Sequence, residues 1–159
     1  MARFADIANK KAADVEKPPL PPIGKYVMMC INDPTITERH SDKGDFEIVD
    51  FKLQGVTALD DVDLDELAKF GGAKGVVVTH SFVFNTDPEE EANFQRTEYN
   101  LKQFLVETLQ AGGLDMSLTQ LLGNAKGKQL EAEIGHRPDG RPGRENDIYP
   151  DIKKVMPIS

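Results

Sequence analysis

Apolar and polar residues alternate with a period of two in several stretches of this chain, and clusters of Gly, Pro and Asp separate those stretches. Tyr26 to Asn32 (YVMMCIN) is an apolar run opened by Gly24 and stopped by Asp33-Pro34, which predicts a strand. Phe46 to Leu53 (FEIVDFKL) predicts a second, with Val49, Phe51 and Leu53 on one face and Asp50 and Lys52 on the other. Val76 to Phe84 (VVVTHSFVF), dense in β-branched and aromatic residues, is the third. Lys128 to Ile134 (KQLEAEI) is the fourth, turning Leu130, Ala132 and Ile134 inward. Asp147 to Val155 (DIYPDIKKV) is the fifth, placed at an edge because Pro150 cannot donate to a ladder.

The pattern changes after the third strand. Thr86-Asp87-Pro88-Glu89 combines a capping side chain, a proline suited to the first helical position and acids in the first turn. Phe94, Leu101, Phe104, Leu105 and Leu109 then follow at helical spacing up to about Ala111, before Gly112-Gly113. A short helix is expected over Ser117 to Leu122. Residues 1–22 read as an arm, helix-capable around Phe4 to Val15 and extended through KPPLPP. Between Gly55 and Gly75 lies an acidic insertion, with Asp63 as N-cap and Gly71 as C-cap of about two helical turns.

The predicted class is mainly β with helices. Five antiparallel strands with the principal helix between the third and fourth give the connectivity of an OB-fold, a partly open Greek-key barrel. Residues 23–159 would form that barrel. Its ligand groove would cross strands 2 and 3 between two loops, Thr35 to Asp45 and His136 to Asn146. The first loop, read as polar or as a hairpin turning at Lys43-Gly44, carries Arg39, His40 and Lys43. The second reads HRPDGRPGREN: prolines and glycines make it a projecting loop, and Arg137, Arg141 and Arg144 supply guanidinium groups suited to phosphate.

Composition modifies this picture in two ways. A formal charge of −8 argues against phosphate binding, but residues 55–111 carry 4 basic and 11 acidic groups and so hold −7 of it. Charges beyond about 8 Å are largely screened at physiological salt, which leaves the flanks able to present a basic face. No apolar run approaches the roughly 20 residues of a membrane span, and MARFADIANKK lacks the apolar core of a signal peptide, so the expected location is the cytoplasm. Cys30, the single cysteine, is expected as a buried thiol.

Several segments together resemble phage-encoded single-stranded DNA-binding proteins of the OB-fold type. They are LPPIGKY, the DKG turn, FEIVDFKL, LVETLQAGG, LLGNAKGKQLEAEI and NDIYPDIKKVMP, spread over Leu20 to Ile158. The resemblance implies sequence-tolerant binding of single-stranded DNA in phage replication or recombination, within the host cytoplasm. The chain ends in KKVMPIS rather than an acidic tail, which leaves Asp60 to Glu66 as the candidate surface for replication or recombination proteins.

A splayed strand offers π-faces and phosphates, so candidates are aromatic or cationic. Phe46, Phe82 and Tyr149 are the stacking candidates, and Arg39, His40, Lys43, Lys52, Arg137, Arg141, Arg144 and Lys153 the cationic ones. A phenylalanine in a barrel strand is also an ordinary core residue, and Phe82 carries that alternative most heavily. His40, His80 and His136 lack ligand spacing, and the acids from Asp60 to Glu66 lack the pattern of a calcium loop, so neither metal nor cofactor is expected. No nucleophile elbow, P-loop or dinucleotide fingerprint occurs, and an enzyme is not expected. The alternative reading is a protein-interaction or virion-assembly module using the acidic insertion or the Pro-rich arm.

Overall fold

A computed structural model describes residues 3–14, 20–138, 140–143 and 148–158. The protein is mainly β: a six-stranded antiparallel sheet with a few helices. The strands are β1 (Gly24–Cys30), β2 (Thr35–Ser41), β3 (Gly44–Ala58), β4 (Val77–Asn85), β5 (Gln129–Pro138) and β6 (Ile148–Met156). The helices are α1 (Arg3–Ile7), α2 (Leu64–Lys69), α3 (Glu91–Gln103) and α4 (Leu118–Gly123).

β3 is the organising strand. Its first half pairs with β2, its second half pairs with β1 on the same edge, and β4 runs along the opposite edge. β1 pairs onward with β5, and β5 with β6. β6 makes no second ladder among the described residues, as the proline at position 150 predicts.

The segment read as a polar loop or a hairpin is the hairpin, its first arm being strand β2; the loop alternative falls. The seven residues of β2 are all exposed, because the β2–β3 ribbon extends beyond the core and neither face is covered. Alternation therefore carries no signal there. The turn consists of Asp42 and Lys43, with Ser41 paired to Gly44, rather than of Lys43-Gly44. Gly44 has φ +128°, a value that side chains disfavour. On the other side, His136 and Arg137 belong to β5 rather than to a loop, since β5 continues to Pro138.

The core lies on one face of the sheet, built from Tyr26, Met28 and Cys30 of β1, Phe51 and Leu53 of β3, and Leu130, Ala132 and Ile134 of β5. Asp87 caps the chain entering α3 by accepting from Glu89 N–H at 3.0 Å. α3 ends in a π turn, Phe104–Thr108, where Leu109 N–H donates to Phe104 C=O at 2.7 Å. The extra residue in that turn lets Phe104, Leu105 and Leu109 all face the core. Ser117 and Gln120 form a capping box at the start of α4.

The acidic insertion is a packed element. Asp63 caps α2 by accepting from the backbone of Asp65 and Glu66, while Val62 and Leu67 are buried. The arm is tied to the sheet at its end: Tyr26 Oη donates to Pro22 C=O at 2.6 Å, and His136 Nε2 lies 2.7 Å from Pro21 C=O. Burial, reinforced by Asp61 and Glu66, pushes the Tyr26 phenol up to about 12, so it stays a donor.

Candidate nucleic-acid interface

Directly paired residues in an antiparallel ladder project to the same side, so register decides which candidates meet. Val49, Phe51 and Leu53 of β3 face the core, which turns Phe46, Ile48, Asp50 and Lys52 to solvent. Arg39 pairs with Phe46 and Thr37 with Ile48 on the β2 side. Val83, Ser81 and Thr79 pair with Ile48, Asp50 and Lys52 on the β4 side. One solvent face thus carries a half-buried aromatic ring flanked by Arg39, with Lys52 further along the same strand. Ser81 Oγ donates to the Asp50 carboxylate near its centre.

The β5–β6 hairpin adds to this surface. Ile134 and Ile152 are paired on the core side, so the neighbouring pairs Arg137–Tyr149 and Gly135–Asp151 face outward. Tyr149 is 40% exposed. A bulge between Glu133 and Ile134 sets Lys153 out of register. Its alkyl chain crosses Gly135, where an added Cβ would come within 2.6 Å of Lys153 Cε. Lys153 Nζ lies 3.5 Å from Asp151. Between this hairpin and β4 is an open cavity of about 520 Å³, lined by Val77 to Ser81 and by Arg137 and Pro150 to Ile152.

Arg39, Phe46, Lys52, Arg137, Tyr149 and Lys153 therefore share the solvent face. Other candidates do not. Phe82 is on the core side, its ring 5.8 Å from Phe51 and 5.3 Å from Phe104. β4 alternates in step with β3, and Phe82 pairs with the buried Val49. His40 projects from the opposite side of the ribbon, with Nδ1 2.8 Å from Asp45 and Nε2 3.8 Å from Glu38. The hydrogen bond to Asp45 and that residue's charge raise the His40 pKa, with a smaller contribution from Glu38. A proton taken up by His40 is thereby compensated within the ribbon. Lys43 sits exposed in the hairpin turn. Arg141 is exposed in the β5–β6 loop, and Arg144 lies outside the described residues.

Thr35, Thr37, Thr79 and Ser81 supply hydroxyls to the same face and were not singled out by sequence. Their signal was parity with Asp50 and Lys52, readable only once the register is known. Among the described residues no three His, Cys, Asp or Glu side chains converge as a metal site, and no helix is long and apolar enough to cross a membrane. No protein-family model matches the sequence, and no curated protein matches it significantly.

Proposed function

We propose that this protein binds single-stranded DNA without sequence preference, along the solvent face that carries Arg39, Phe46, Lys52, Arg137, Tyr149 and Lys153. The observation that carries the reading is the grouping of aromatic and cationic side chains from four paired strands on one side of the sheet. Phe46 and Tyr149 stack on bases, which needs no particular base, while the cations follow the phosphates. Arg141 in the β5–β6 loop and Lys43 in the hairpin turn extend the cationic rim.

The strand order supports an OB-type barrel. β1 and β2 lie along one edge of β3 and count as one interrupted first strand; β3, β4, β5 and β6 then follow as the second to fifth, with α3 between the third and fourth. The resemblance in sequence to phage single-stranded DNA-binding proteins points to the same activity, in replication or recombination. The exposed carboxylates of Asp60, Asp65 and Glu66, held outward by the packing of Val62 and Leu67, offer a separate surface for a basic partner protein.

Fluorescence anisotropy with labelled oligo-dT tests the reading. Binding that weakens as salt rises is expected, because neutralising phosphates releases counterions. Absence of binding at low salt contradicts it.

A further inference from the structure

β4 and β6 approach each other along a seam that carries no ladder among the described residues. Cα atoms of the two strands come within 8 Å of each other. Neighbouring strands in a ladder sit about 4.8 Å apart, so an inserted strand would need roughly 9.6 Å between its two neighbours. The seam at its narrow part is too close for an added strand, yet it borders an open cavity of about 520 Å³. A thin, flat, polar group fits such a space better than a peptide.

Its lining is suited to hydrogen bonding. Asp151 offers a carboxylate, one oxygen of which lies 3.5 Å from Lys153 Nζ, Arg137 a guanidinium, Thr79 a hydroxyl, and Ser81 an accepting hydroxyl oxygen whose proton is given to Asp50. His80 also lines the cavity and is backed by Phe82 and Phe104, each with its ring 5.0 Å away. No described residue hydrogen-bonds to the His80 imidazole, whose nitrogens remain available. Burial lowers its pKa, so the ring is neutral at pH 7 and can donate from one nitrogen and accept at the other.

We propose that this seam holds one unpaired nucleobase, and that Asp151 gives this single position a modest preference for bases bearing an exocyclic amino group, while the rest of the face stays indifferent to sequence. The inference rests on the single-stranded DNA reading and deepens it, since Thr79 and Ser81 belong both to the seam and to the proposed binding face. A carboxylate accepts from the amino group of cytosine, whereas thymine presents a carbonyl oxygen at the equivalent position and meets Asp151 with repulsion. Arg137, which also lines the cavity, can donate to a base carbonyl or to the attached phosphate.

The full chain, labelled with ¹⁵N, is titrated with dCMP, dTMP and inorganic phosphate and followed by amide chemical shifts. The expected result is saturable movement of Val77 to Ser81, Asp151 and Ile152, with dCMP about fivefold tighter than dTMP, the discrimination of one hydrogen bond. Asp151→Asn removes that difference while the amide spectrum stays folded. Equal shifts with phosphate alone overturn the proposal by reducing the seam to an anion site, as does equal response to dCMP and dTMP. Shifts confined to Arg39, Phe46 and Lys52 also overturn the seam pocket but leave the single-stranded DNA reading standing; no response to either nucleotide, together with no binding of oligo-dT, overturns both.

Discussion

Arg39 and Phe46 lie directly opposite each other in the β2–β3 ladder, on the face turned away from the core. In the proposed reading the cation meets a phosphate and the ring a base of one nucleotide. Phe46→Ala is expected to weaken oligonucleotide binding by about 1–3 kcal/mol with no change in salt slope. Arg39→Ala is expected to lower that slope by about 0.7, the contribution of one phosphate contact on a single strand. Anisotropy titrations at several salt concentrations separate the two effects.

His40 and His80 are shifted in opposite senses. His40 has its pKa raised above 6.5 by Asp45, first through the hydrogen bond and then through charge. Its contribution to stability is fully present below 6.5 and is lost as pH rises through the raised value. His80 is depressed by burial, so its contribution is present above 6.5 and is lost as pH falls toward the lowered value. Thermal melts over a pH series should show His40→Asn removing the loss on the alkaline side and His80→Phe the loss on the acid side.

Phe82 faces Phe51, His80 and Phe104 in the core cluster. Phe82→Ala should therefore cost stability, by about 2–3 kcal/mol for a partly buried ring, and leave the salt slope unchanged. Chemical denaturation measures the first quantity and anisotropy under folding conditions the second. Retained stability with lost binding would instead assign the ring to the ligand.

Gly55 lies where the insertion meets β3: a Cβ there would come within 2.2 Å of Ala73 C=O. Because the obstacle is backbone, Gly55→Ala must displace the 73–75 turn. A loss above about 2 kcal/mol is expected by denaturation, together with faster amide exchange around α2.

The strands that bury one face were legible in the sequence because alternation reports burial: Val49, Phe51 and Leu53, or Leu130, Ala132 and Ile134. β2 was not, since Thr35 to Ser41 is solvated on both sides and has no apolar period. The same limit hid the continuation of β5 through Arg137. Local capping chemistry was readable at Asp63, Asp87 and Ser117, where a single side chain satisfies neighbouring amides. The site was only half visible. Phe46 and Lys52 were placed by their own parity, whereas the grouping of Arg39 with Phe46 and of Arg137 with Tyr149 depends on register between distant strands. Phe82 illustrates the converse, an aromatic in a plausible position whose pairing with Val49 turns it to the core.

The central claim is that the solvent face of the sheet follows the phosphates of single-stranded DNA. The most direct measurement is the slope of log affinity against log salt for oligo-dT, compared between the native chain and Arg39→Ala/Lys52→Ala/Arg137→Ala. Loss of three phosphate contacts should reduce the slope by about 2, at about 0.7 per contact, with an unchanged melting temperature. An identical slope in the two proteins, or no binding by the native chain at low salt, would contradict the account.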